Sequence, residues 1–90
     1  HERSVFVDLV ERVKHILEAA LAIEHIKLED DGGVIGYVVS NDFQGLEFVD
    51  RQMKIHKALR SGSEPLTPAE LRRVAAIAAL TPDEFLVWSA

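Results

Sequence analysis

The stretch Leu71-Arg72-Arg73-Val74-Ala75-Ala76-Ile77-Ala78-Ala79-Leu80 decides the fold, and its residues admit two readings. Its alanines have high helix propensity, so one helix from Pro68 to about Ala79 is natural. As a continuous apolar run, Val74 to Ala79 is instead a strand buried on both faces. Periodicity does not separate the two. A strand would complete a sheet; a helix would leave an isolated hairpin in a mainly helical chain.

The flanks on either side are clearer. Thr67-Pro68-Ala69-Glu70 is a capping box with proline at the first helical position, and Thr81-Pro82-Asp83-Glu84 repeats the signal fourteen residues later. Each starts a helix, the second one short and C-terminal. Two such signals do not make a repeat protein. Upstream, Arg60-Ser61-Gly62-Ser63-Glu64-Pro65 is a loop by composition. A helix is expected from about Gly45 to Leu59, with Phe48, Val49, Met53, Ile55 and Leu59 facing one way. Gln52 and His56 fall within that stripe, and each needs a hydrogen bond or a place at its edge. Asn41-Asp42-Phe43-Gln44-Gly45 is a loop, with Phe43 expected to anchor it in the core and Gly45 to lead into the helix.

Further upstream the pattern has period two. Ile26 and Leu28 alternate with Lys27 and Glu29 from His25 to Asp30. Asp31-Gly32-Gly33 supplies the positive-φ positions of a tight turn, and Val34 to Ser40 is a β-branched second strand. These form a β-hairpin. Ser4 to Leu21 is an amphipathic helix with Ser4 as N-cap. Its inner face carries Phe6, Leu9, Val10, Val13, Ile16, Leu17 and Ala20.

The chain has 90 residues, enough for one domain spanning 1–90 with a thin stability margin. Its 48% hydrophobic and 28% charged content fits a globular protein rather than a disordered one. No cysteine occurs, which removes disulfides, thiolate ligands and a cysteine nucleophile, and points to a reducing, cytoplasmic setting. No apolar run reaches the ~20 residues of a membrane span, and the N-terminal residues do not read as a signal peptide. The net charge of −5 opposes nucleic acid, although Arg51, Lys54, Lys57 and Arg60 cluster locally, as do Arg72 and Arg73.

Catalytic motifs are missing. Ser61-Gly62-Ser63 lacks the nucleophile elbow, and no Walker or dinucleotide fingerprint occurs. The histidine spacing matches no zinc motif. His15 is expected on the solvent side of the first helix, His25 at a helix–strand junction as a cap or surface residue, and His56 packed and hydrogen-bonded. Glu29, Asp30 and Asp31 read as a solvated turn. Arg51 is expected to pair with Asp50, Glu47 or the loop backbone. Trp88 either closes the core or joins an exposed interface patch.

Val39-Ser40-Asn41-Asp42-Phe43-Gln44-Gly45, then Asp50-Arg51-Gln52 and Ala58-Leu59, resembles the BolA family. So does the closing Leu80-Thr81-Pro82-Asp83-Glu84-Phe85. The resemblance runs along nearly the whole chain in matching order. It implies an α+β, class II KH-like fold lacking the nucleic-acid clamp loop. The expected order is helix, β-hairpin, helix, short helix, strand and helix, with a three-stranded mixed sheet covered by helices on one side. It favours the strand for Val74 to Ala79 and a short helix from Pro68 to about Arg72. Phe43, Gly45, Thr81 and Pro82 become structural signature positions, and Arg51, Gln52, His56 and Trp88 partner-binding candidates.

The resemblance further implies a non-catalytic adaptor, tied to iron–sulfur, redox or stress functions, that partners a monothiol glutaredoxin and shares a [2Fe–2S] cluster with it. The BolA-like member supplies a histidine near the start of the third strand and a second His or Cys from the hairpin. Here Arg73-Val74-Ala75-Ala76 has no histidine, and Asp30 to Gly33 has neither donor. The Arg-His pair of the second helix reads Arg51-Gln52, and the linker after Leu59 is longer than the family pattern. Ligation in the usual manner is therefore not expected, and no metal site or resident cofactor is assigned. A KH-like nucleic-acid-binding or transcription-regulatory domain is the alternative function. Monomer and homodimer both stay open, the latter through Leu86-Val87-Trp88.

Overall fold

From Val74 to Leu80 the deciding stretch is a strand. The computed structural model describes the backbone of residues 5–62 and 65–89, and the side chains of 9–62 and 65–89. The elements run α1 (Val5–Ala20), β1 (Ile23–Asp30), β2 (Val34–Ser40), α2 (Phe48–Arg60), α3 (Pro68–Leu71), β3 (Val74–Leu80) and α4 (Pro82–Ser89), with a 3-10 turn at Asn41–Phe43. The sheet order is β1-β2-β3, antiparallel between the first two and parallel between the last two. The N-cap role of Ser4 and the inward position of Phe6 lie outside the described residues.

Period 3.6 in α1 puts Leu9, Val13 and Leu17 wholly in the core and Val10 and Ile16 at its margin. Ala20, expected on that face, is exposed at the helix end. The hairpin turns through Gly32 at φ 74° and Gly33 at φ 145°, with the Asp31 N–H donating to Gly33 O at 2.9 Å. Its register pairs Asp30 with Val34 and Lys27 with Tyr37. Gly36 lets the two backbones close up. A Cβ there would lie 1.9 Å from Lys27 O, at a φ of +148° that L side chains rarely adopt.

In β3, Ile77 and Ala79 are buried while Ala75, Ala76 and Ala78 are exposed. The strand is therefore not buried on both faces as its sequence suggests. Small alanines leave one side of the sheet low and open. The principal core joins Ile26 and Leu28 of β1, Val34 and Val38 of β2, and Ile77 and Ala79 of β3 to α1, Ile55 and Leu59 of α2, and Phe43. Helix α3, opened by the Thr67 capping box, is tied to α1 by a hydrogen bond from Arg12 to Glu70.

Helix α4 modifies the one-sided arrangement. His25 and Tyr37 alternate along their strands with the core residues Ile26 and Val38, so they point to the other side of the sheet. Phe85 of α4 stacks on the His25 ring at 4.8 Å and lies 5.5 Å from that of Tyr37, while Trp88 meets Tyr37 edge-on at 5.1 Å. Helices α1 and α2 thus cover one face, and α4 partly covers the other.

Candidate functional site

The signature residues before α2 form a brace. Ser40 is fully buried; its hydroxyl donates to Ala22 O at 2.8 Å and accepts from the Asp42 N–H at 3.0 Å. Asp42 in turn accepts from the Ala22 N–H at 2.9 Å. The Val39-Ser40-Asn41-Asp42 run thereby fastens the end of β2 to the α1–β1 link. Phe43 is wholly buried, as expected of a loop anchor. Gly45 turns the chain at φ 75°, and the helix begins three residues later at Phe48 rather than at Gly45.

The inward face of α2 also differs from the expected one. Ile55 and Leu59 are buried, with Arg51, Gln52 and Ala58 half-buried beside them, while Phe48, Val49 and Met53 are exposed. The expected inward placement of those three is corrected. His56, expected to be packed, is exposed too. His15 is exposed, as expected, and His25 lies on the surface under Phe85.

Two polar residues face inward because an edge strand needs donors. Carbonyls alternate in direction along a strand, so those of Ile77 and Ala79 point the same way, and both are met by side chains of α2. Gln52 Nε2 donates to Ile77 O at 3.0 Å, and Arg51 Nη1 donates to Ala79 O at 3.0 Å. These side chains stand where a fourth strand would pair, and so protect the edge. Arg51 also donates from Nε to Leu46 O at 2.9 Å and holds Glu84 by two bonds of 2.6 and 3.1 Å. Its carboxylate partner is Glu84 on α4, not Asp50. Leu46 O is the loop-backbone contact that was expected.

Glu84 is also the last residue of the second capping box. The Thr81 N–H donates to its carboxylate at 2.9 Å, and Thr81 Oγ1 accepts from its N–H at 3.2 Å. Pro82 opens the helix. The Arg51 hydrogen bond, followed by the Thr81 backbone hydrogen bond, lowers the Glu84 pKa from 4.5 to about 2. The same ion pair raises that of Arg51. Glu70 is lowered chiefly by the Thr67 backbone hydrogen bond, with Arg12 adding to it.

Around this brace the surface is apolar. Phe48, Val49 and Met53 on α2 and Leu86, Val87 and Trp88 on α4 are each more than 60% exposed. A groove of about 670 Å³ runs between the two helices over β3, walled by Phe48, Val87 and Trp88 and floored by Ala78 and Leu80, with the Arg51–Glu84 pair at its side. Of the four partner-binding candidates, Trp88 walls the groove and Arg51 borders it. Gln52 is engaged with β3, and His56 lies on the outer surface of α2. Phe48, Ala78 and Leu80 went unmarked as site residues, and Val87 was marked only within the Leu86-Val87-Trp88 homodimer patch. The signal available for them was six large apolar residues in two short helices with too little sheet to cover them. The basic cluster shrinks to Lys54, Lys57 and Arg60, because Arg51 turns inward.

A cluster ligand would be expected where the start of β3 meets the hairpin. There Arg73 O accepts from the Val34 N–H at 2.8 Å, and the Arg73 guanidinium sits 3.8 Å from Asp30. His25 pairs with Val39 and Asp30 with Val34, which puts His25 about 17 Å along β1 from that corner. His56 is on α2. No group of three or more His, Cys, Asp or Glu converges among the described residues. A cation–carboxylate pair stands where iron would need imidazole or thiolate, so the residues present do not fit a [2Fe–2S] cluster at this corner. Among the described residues no helix is long and apolar enough to cross a membrane.

No family model matches the chain, and no curated protein does. Solved structures do. A bol-like protein from Babesia bovis superimposes with a TM-score of 0.66 at 25% identity, over the whole of both chains. The BolA domain of SufE1 from Arabidopsis thaliana gives 0.66 at 26% identity, covering 83% of this chain and 93% of that one. BolA1 from the same plant shares the fold, with a TM-score of 0.63 at 22% identity over 84% and 94%. By its helix order, its mixed sheet and these neighbours, the chain has a BolA-like fold.

Proposed function

We propose that this chain is a non-catalytic adaptor that docks a protein partner in the groove between α4 and the start of α2. The observation that carries it is the groove itself: Phe48, Val87 and Trp88 stand exposed around a low alanine floor. Aromatic residues lining an apolar cleft supply binding energy at small entropic cost, and polar residues at its rim set orientation. Asp83 and the Arg51–Glu84 pair provide that rim. One structural neighbour carries the same fold as a domain of SufE1, which supports use of the fold as a module.

The partner class implied by the family resemblance is a monothiol glutaredoxin, met without the usual histidine donation. The test is to titrate a monothiol glutaredoxin loaded with [2Fe–2S] while following hydrodynamic size, Trp88 emission and the visible spectrum. The expected result is a larger species with altered Trp88 emission and an unaltered cluster spectrum. Trp88→Ala should weaken the complex about thirtyfold, the scale of an interface anchor. No change in size or emission would refute the glutaredoxin assignment. A spectrum shifted toward histidine ligation would refute the non-ligating role.

A further inference from the structure

We infer that the outer face of α2 is a contact surface for a second copy of this chain, paired antiparallel about a two-fold axis. This does not depend on the groove or on its partner. The exposed face is ordered by charge along the helix. Glu47 and Asp50 stand at its start, Val49 and Met53 follow, and Lys54, Lys57 and Arg60 occupy its second half. All seven are exposed. No ion pair among the described residues engages Asp50, Lys54, Lys57 or Arg60. Charge segregated in this way is self-complementary only when the second helix runs in the opposite direction.

The register follows from the numbering. With the axis between Met53 and Lys54, Asp50 faces Lys57 of the second copy and Glu47 faces its Arg60, each pair occurring twice. Both pairings share the same axis; spacings of three and four residues keep Asp50, Met53 and Lys57 on one side of the helix, with Glu47 just before it as the N-cap residue. Met53 then packs against its symmetry mate beside the Lys54 stem, with Val49 next to it. This is the isologous arrangement of a two-fold dimer. A generic basic helix face would instead suit an acidic partner, but it would not carry Glu47 and Asp50 at one end. That acidic end makes the chain itself the better-matched occupant.

The experiment is sedimentation equilibrium or light scattering on the full chain across a concentration series, beginning from a protomer mass of 10.0 kDa. The expected species has twice that mass. Asp50→Lys and Lys57→Asp each place like charges together at both ends and should raise the dimer dissociation constant about tenfold or more. The double variant D50K/K57D restores both pairs with reversed sign and should return it to within about threefold of the parent. Far-UV circular dichroism confirms that α2 is retained, and these exposed positions can be exchanged without loss of the core. A monomer at all concentrations would overturn the inference. So would a dimer indifferent to both single changes, or a double variant no better than the singles.

Discussion

Replacing Arg51 by Met separates its role in closing the sheet edge from its role in the ion pair. The Arg51 side chain is only 15% exposed, while that of Glu84 is 46% exposed. Its bonds to Leu46 O and Ala79 O are charge-assisted and shielded, and together contribute roughly 3 kcal/mol. The pair with Glu84, half in water, contributes ~0.5–1 kcal/mol more. Arg51→Met should therefore cost about 3 to 4 kcal/mol, a large share of the stability of a chain this size. Glu84→Gln should cost about 1 kcal/mol or less, because glutamine at this position can still close the capping box with Thr81. Urea unfolding followed by circular dichroism reads both. With a slope of about 1 kcal/mol per molar, the midpoint should fall by about 3 to 4 M for the first variant and about 1 M or less for the second. Equal shifts would refute the reasoning, since they would mean that the ion pair, not the carbonyl bonds, is what Arg51 supplies.

Other consequences are as specific. Glu84 is held at about 2 in the folded chain against an ordinary 4.5, so its contribution is complete above 4.5 and disappears as the pH drops toward 2. Glu70 acts in the same direction. Thermal melts should thus decline through that acid window, and the decline should be shallower in Glu84→Gln; an identical slope would count against the assignment. Gly36→Ala drives a methyl into Lys27 O and should abolish cooperative unfolding, whereas an intact transition would show that β1 and β2 do not approach as described.

The sequence read well wherever local chemistry and tertiary need coincided. The hairpin was legible because Gly32-Gly33 is bounded by two β-patterned runs, and both capping boxes were legible because Thr-Pro-x-Glu states its geometry within four residues. The third strand was not: six residues rich in alanine satisfy a helix as well as a strand, and only the likeness to a known family favoured the strand. Helix α2 misled for a different reason. Counting apolar residues put Phe48, Val49 and Met53 inside, because hydropathy has no entry for a carbonyl that needs a donor. Arg51 and Gln52 face inward to meet Ile77 O and Ala79 O, and Arg51 finds its carboxylate 33 residues away on another helix. Of the partner-binding candidates, Trp88 was open between closing the core and joining an exposed patch, and it is exposed. The groove was not legible, since it is made by the juxtaposition of α2 and α4 over a strand with short side chains.

The parallel pairing of β2 with β3 has a kinetic corollary. The hairpin of β1 and β2 joins neighbours in the chain and can zip on the microsecond scale. The link between Val34 and Arg73 closes a loop of about forty residues before any parallel rung is gained. Formation of that last strand pair should therefore set the folding rate. A nascent chain that has emerged only as far as Arg60 would hold a hairpin whose central strand still lacks its second neighbour. Release of the segment that carries β3 is then the step that makes the domain cooperative.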